Sequence, residues 1–221
     1  MVYEREEKVS KKKIMNIILI ILLVIAVICA LLYLRELQLL KQTISEYESM
    51  QCNYTTVRET REPVDDSEYD NETHTDEISI PPEWAGLPLL DVDFEALLQI
   101  NPDTVGWIAI PNTPVNYPVV QTNNNTKYLT TSFYGENSRA GTVFIDRNNN
   151  IRTLDTNTII YGHNMGTLRD DMFGSLLEYK DYEYLMANRY IQFDTINQRY
   201  GWWEILAVIE YDTRSNVFEY L

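Results

Sequence analysis

The sequence predicts a mainly-β domain, a sandwich or a barrel, held behind a single membrane-spanning helix. Three observations lead there: an apolar run at 14–34, a succession of short β-type runs between Pro- and Asn-rich connectors, and few helical spacings after residue 90. With 221 residues, 45% of them hydrophobic, the chain can bury one ordinary core and still carry appendages. Its formal net charge of −15 repels phosphate backbones, so nucleic acid is not an expected partner.

Taken in order, residues 1–13 read as a basic cytoplasmic tail and 14–34, "IMNIILIILLVIAVICALLYL", as a transmembrane helix. That run is apolar apart from Asn16 and long enough to cross a hydrocarbon core of roughly 30 Å, so the lipid bilayer is an expected partner of residues 14–34. Lys11, Lys12 and Lys13 stand just before it while only Arg35 and Lys41 follow closely, which puts the N-terminus in the cytoplasm and the bulk outside. The expected location is the cell membrane, single-pass, type II. A cleaved signal peptide fits less well, because the run outlasts the about 7–15 residues of a signal core and no small-x-small cleavage site closes it. Residues 35–50 continue as a juxtamembrane helical stalk, with Leu37, Leu40, Ile44 and Tyr47 at spacings of three and four. Residues 51–83 then read as an acidic disordered spacer, since nine acids face two arginines between 51 and 79 and aliphatic residues almost vanish.

The folded domain is expected over 84–221, order resuming near Trp84. "LDVDFEALLQINPD" predicts a helix capped by Asp91 or Asp93, with Phe94, Leu97 and Leu98 inward and the Asn101-Pro102 turn as its end. Strands are expected at 105–110, 119–121, 141–146, 158–161, 190–194 and, longest, 202–211. The connectors "PNTPVNYP", "TNNNTK" and "DRNNN" supply turn residues between them. Between Met172 and Met186 the spacing turns helical, with Phe173, Leu176, Leu177, Tyr184 and Leu185 as core candidates and Asp170 and Asp171 as the capped start. The last residues, "RSNVFEYL", leave an apolar edge, and an unpaired edge strand is an odd place for a β domain to finish.

Chemistry is sparse. Cys29 lies in the membrane run and Cys52 in the acidic spacer, so no disulfide within the outer domain is expected. Of two histidines, His74 sits in the spacer and reads as a surface residue, while His163 follows an apolar run that stops at "YGHN", where a strand delivers a side chain to a rim. A zinc site would need three or four converging His, Cys or carboxylate ligands, and His163 has no second histidine or cysteine near it. Neither a metal nor a cofactor is expected.

The segments "INPDTVGWIAIPNTPVNYPVVQ", "KYLTTSFYGENSRAGTVFID" and "NTIIYGHNMGTLRDDMFGSLLEYKD" resemble, in one unbroken order over 90–221, those of class B sortases, membrane-anchored cysteine transpeptidases of the Gram-positive envelope. The resemblance implies a sortase-type β-barrel of eight strands with N-terminal helices and a helix after the histidine. It also implies a reaction. A cysteine thiolate attacks the threonyl carbonyl of an N-P-x-T-x type sorting signal in a surface protein. The resulting thioester is resolved by an amine of a cell-wall precursor or of peptidoglycan. His163 matches the family's histidine, the general acid/base, and an imidazole with a reference pKa of about 6.5 suits that task near neutrality.

The family's cysteine and arginine lie on two later strands, and no residue here matches either. Cys52 has no matching context; Arg199 and Arg214 precede the missing strands and read as solvated loop residues. The expectation is a barrel incomplete at its C-terminal side and a chain inactive alone. Its alternative is a catalytically dead, membrane-tethered binding module for sorting signals or a partner sortase.

Overall fold

The computed structural model describes residues 2–57, 89–165 and 171–210. His74, Trp84, Asp170, Arg214 and most of the expected spacer lie outside those residues. The chain divides into two compact units, Met1–Ser45 and Glu46–Leu221.

The first unit is helical. Helix α1 (Val2–Tyr54) contains the one helical stretch among the described residues that is long and apolar enough to cross a bilayer. Every described side chain from Ile14 to Leu34 is exposed. No Pro or Gly interrupts 2–54, so nothing in the sequence breaks the helix where the apolar run ends.

The second unit begins with the last turns of α1. Tyr47 and Met50 are buried there, and full burial of a side chain such as Met50 contributes about 1.5–3 kcal/mol. Gln51 donates its side-chain amide to the Asn116 carbonyl at 2.8 Å. Residues 51–57, expected at the start of the spacer, are therefore regular structure. Gln51–Tyr54 are helical, and Thr55–Val57 form strand β1, antiparallel to β2 (Leu90–Val92) in the register Thr56↔Asp91. Helix α2 (Phe94–Ile100) starts on Asp93, whose carboxylate accepts the Ala96 N–H at 2.9 Å, and ends on Asn101. Leu97 is its buried residue; Phe94 and Leu98 are only half-buried.

The main sheet is mixed, six-stranded and curled into a half-barrel. Its strands are β3 (Thr104–Ala109), β4 (Asn116–Val120), β5 (Val143–Ile145), β6 (Ile160–Tyr161), β7 (Tyr190–Thr195) and β8 (Arg199–Glu204), in spatial order β6-β5-β4-β3-β7-β8. β3 is central, paired to β4 on one side and β7 on the other, and all six of its residues are buried. That is why "TVGWIA" carries no polar-out alternation. Trp107 is fully buried and donates its indole N–H to Asn116 Oδ1 at 2.7 Å. β4 and β5 are parallel (Val119↔Val143), which obliges a long crossover at 121–142.

Several expected elements are shifted. The expected strand 202–211 forms instead at 199–204, because its ladder partner β7 begins at Tyr190, opposite Glu204. Residues 205–210 have no regular structure. Arg199 opens β8 rather than lying in a loop. The helix after the histidine is split: a 3-10 turn (Gly174–Lys180) without a side-chain cap, then α3 (Tyr182–Ala187) capped by Asp181. Ser175 and Tyr179 are its buried side chains and Met172 is buried just ahead of it, whereas Phe173, Leu176, Leu177, Tyr184 and Leu185 are half-buried.

Candidate active site

His163 stands two residues beyond β6. That strand is short, and it is aimed by its neighbour: Phe144↔Tyr161 and Ile145↔Ile160 pair across β5, the Phe144 and Tyr161 rings lie 5.0 Å apart, and the Tyr161 hydroxyl donates to Asp146 Oδ2 at 3.1 Å. Asp146 in turn accepts the Asn148 backbone N–H and the Asn125 side-chain amide. These donors, the backbone one foremost, hold its carboxyl below the usual carboxylate range.

Past β6 the chain bends back on itself. A bridge pairs Asn164 with Met172, and the Phe173 N–H donates to the His163 carbonyl at 2.9 Å. Gly162 makes this close return possible: a Cβ there would lie 2.5 Å from the Phe173 ring. Met172 is buried at a φ of 54°, a conformation unusual for a side chain of its size, and its N–H donates to the Tyr117 hydroxyl at 2.9 Å.

The imidazole is half-buried, and its Nε2 lies 2.7 Å from the Leu129 carbonyl oxygen. A carbonyl only accepts, so the hydrogen of that bond is on Nε2, and Nδ1 is the nitrogen left for proton exchange. Leu129 closes a 3-10 turn (Lys127–Leu129) in the crossover between β4 and β5. Asn124 accepts the Thr126 and Lys127 N–H groups ahead of that turn. Tyr128 is buried and bonds Asn101 and Asp103 at the end of α2, while Lys127 pairs with Asp103 at 2.6 Å. Both partners of that pair are partly exposed, so it contributes no more than about 1 kcal/mol.

Among the described residues, His163 is the one singled out for chemistry in the sequence that lies here. Cys52 lies in the last turn of α1 and is exposed; Cys29 is exposed in the apolar stretch. Among the described residues no three His, Cys, Asp or Glu side chains converge on a metal-sized space. The sequence reading missed the Leu129 carbonyl, the Tyr117 hydroxyl and the Gly162–Phe173 contact. Only Gly162, in "YGHN", left a trace there, as a glycine where a strand ends. Beside this segment an apolar groove of about 940 Å³ runs along the sheet, walled by Ile108, Ile160, Phe173, Leu176, Ile191 and Ile205.

No family model matches the chain. Curated relatives do. It is similar to Sortase B of Staphylococcus aureus (strain NCTC 8325 / PS 47), 37% identical over 122 residues, 55% of this chain and 48% of that protein. It is also similar to Sortase B of Listeria monocytogenes serovar 1/2a, 39% identical over 117 residues, 53% of this chain and 46% of that protein. The chain spans about half the length of the curated relatives it matches. Among solved structures it is similar to sortase B from B. anthracis in complex with AAEK1, at a TM-score of 0.57 and 29% identity over 81% of this chain and 75% of that one. The Staphylococcus aureus sortase B-substrate complex matches at a TM-score of 0.52 and 36% identity over 56% of each chain. Over the part these relatives cover, the half-barrel is the mainly-β sortase fold, and the sequence is similar to that of class B sortases.

Proposed function

We propose that this protein works in sortase-type transpeptidation at the outer face of the cell membrane, with α1 as its type II anchor and His163 as the general acid/base. The substrate is a surface protein carrying an N-P-x-T-x type sorting signal, and the acceptor is an amine of a cell-wall precursor or of peptidoglycan. In that reaction a thiolate adds to the threonyl carbonyl and the C–N bond breaks. The departing amine takes a proton from the imidazolium, leaving a thioester. The neutral imidazole then takes a proton from the incoming amine as it displaces the thiol.

One observation carries the reading: the imidazole of "YGHN" is held at the end of β6 by the Leu129 carbonyl, in a chain 37–39% identical to two sortase B proteins. That bond occupies Nε2 and leaves Nδ1 for both proton transfers, so the geometry suits a group that must give and take in turn.

No cysteine follows Cys52 in the 221 residues. On this reading residues 53–221 do not themselves supply the thiol, and the 221-residue polypeptide by itself should form no acyl adduct. The same observation favours a second reading, a tethered module that holds sorting signals or a partner sortase without chemistry. Two measurements separate them. Membranes of the producing cell should join a sorting peptide to an amine, and His163→Gln should lower that rate by about 10²–10⁴. A rate unmoved by His163→Gln removes the acid/base role and leaves the binding module. An acyl mass added to the isolated polypeptide would place the thiol on Cys29 or Cys52 instead.

A further inference from the structure

We propose that Tyr47, in the last turns of α1, is a positioning residue for His163, setting through two separate routes which imidazole nitrogen carries the proton. The proposal rests on His163 being the acid/base group.

The first route runs through the ring's hydrogen-bond partner. The Tyr47 hydroxyl donates to the Gly141 carbonyl at 2.8 Å and lies 3.4 Å from the Thr142 hydroxyl. Residues 141 and 142 run against the 3-10 turn that ends in Leu129. The Thr142 N–H donates to the Tyr128 carbonyl at 3.0 Å, and the Thr142 hydroxyl donates to the Thr131 carbonyl at 2.9 Å. The fit allows only a glycine at 141: its φ is +59°, and a Cβ there would lie 2.2 Å from the Tyr128 oxygen and 3.0 Å from the Leu129 oxygen. The Leu129 carbonyl that receives the His163 hydrogen is thus fixed by a segment that Tyr47 ties down.

The second route runs through the backbone that carries the imidazole. The Tyr47 ring meets the Tyr117 ring edge-on, centroids 5.1 Å apart and planes at 79°. The Tyr117 hydroxyl accepts the Met172 N–H, and Met172 bridges to Asn164, the neighbour of His163. One side chain touches both the support of the ring's partner and the support of the ring's own backbone. It does so fully inside the protein, where burial pushes the Tyr47 hydroxyl up from its ordinary pKa, so it remains a donor throughout the working range. Displacing either support moves Nε2 relative to the Leu129 oxygen, and the tautomer ratio reads that displacement directly.

The test uses the full 221-residue chain in detergent micelles, labelled with 15N on histidine, at a pH two units above the free imidazole value of about 6.5. The nitrogen shifts of His163 give its tautomer ratio; His163→Gln assigns the signal against His74, and a free histidine peptide supplies the reference. We expect the wild-type ratio of Nε2–H to Nδ1–H to exceed the peptide's by roughly tenfold, what one hydrogen bond of ordinary net strength gives. Tyr47→Phe, which keeps the ring and deletes the hydroxyl, should bring the ratio down at least threefold, and Gly141→Ala further. Tyr182→Phe, altering a side chain 72% exposed, should leave it unmoved.

A wild-type ratio equal to the peptide's overturns the proposal without any variant. A folded Tyr47→Phe protein with an unchanged ratio overturns it as well, and so does a Tyr47→Phe protein that loses its dispersed amide spectrum, since Tyr47 is then a structural residue only. Gly141→Ala, if it does not fold, drops out and Tyr47→Phe decides. No substrate enters this measurement. The ratio can fail while transpeptidation still depends on His163, or hold while it does not, so the two readings are judged apart.

Discussion

The two sides of the half-barrel are finished differently. On the β4–β5 side, the crossover 121–142 and the last turns of α1 cover the sheet, and Tyr47, Met50, Tyr128, Phe133 and Val143 are all buried in one continuous cluster. On the β8 side, Leu206 is 95% and Ile209 79% exposed, Trp203 stands half in solvent, and the apolar groove lies open. What separates the two sides is cover: on one side Tyr47 reaches residue 141, 94 positions on, and is buried, while on the other Leu206 and Ile209 stand largely in solvent. His163 belongs to the covered side through the Leu129 carbonyl and the Asn164–Met172 bridge, so its geometry is set where packing is tight, beside the groove that stays open.

The largest expected effect tests whether the covered side carries the stability. Trp107→Ala removes a fully buried indole from the central strand and orphans Asn116 Oδ1. It should cost about 3–5 kcal/mol against the roughly 5–15 kcal/mol of an ordinary domain, and urea unfolding of the full chain in detergent reads it as a large fall in the midpoint. A loss under about 1 kcal/mol would mean that the two sides do not differ in the way their burial says.

Next comes the contact that folds the histidine segment onto the covered side. Gly162→Ala puts a methyl 2.5 Å from Phe173 Cδ2, so either Phe173 or the His163 backbone must shift. A cost of about 1–3 kcal/mol is expected, with transpeptidation in producing membranes falling alongside it. Stability lost with the rate retained would show that the shift is taken up by Phe173 alone.

How much of this contrast can be read from residues follows from the range of the interactions. β3 and β7 sit close to their expected places because a buried strand announces itself locally, as an apolar run between turns, whereas β4 starts at Asn116, three residues inside the expected connector. α2 likewise declares both its cap, Asp93, and its end, Asn101. β1 does not: three residues at the edge of an acidic stretch become a strand only because Thr56 meets Asp91, 35 positions on. The Leu37–Leu40–Ile44–Tyr47 spacing is that of any amphipathic helix, and nothing in it tells a stalk residue from Tyr47, whose ring and hydroxyl reach residues 117 and 141. The Leu129 carbonyl has no sequence signature at all, since every residue has one. The histidine was legible; the groups that orient it were not.

Acid should loosen the β5–β6 corner before it touches the core. The Asp146 carboxyl is held below its unfolded value by donors from Asn148, Asn125 and Tyr161. A depressed carboxyl stabilises the folded state above the unfolded pKa of about 3.9, and that contribution disappears as pH falls through the lower folded value. Asp146→Asn should therefore lower the melting temperature at pH 6, and the gap to wild type should close as the pH drops below about 4. A gap that stays constant with pH would mean the carboxylate acts by shape and not by charge.

The smallest effect is expected on the open side, and it is the sharpest test of the contrast. Leu206 and Ile209 are large apolar side chains that touch little, so replacing them by serine deletes almost no buried area. Leu206→Ser with Ile209→Ser should shift the unfolding free energy by no more than about 0.5 kcal/mol, against several for a buried residue of the same size, while making the solubilised chain run as a more uniform species on size exclusion. If instead the pair costs about 2 kcal/mol or more, these side chains are covered in solution and the open face is closed by the protein itself. The groove beside His163 would then be part of the core, and the tight and loose sides would be a single packed surface.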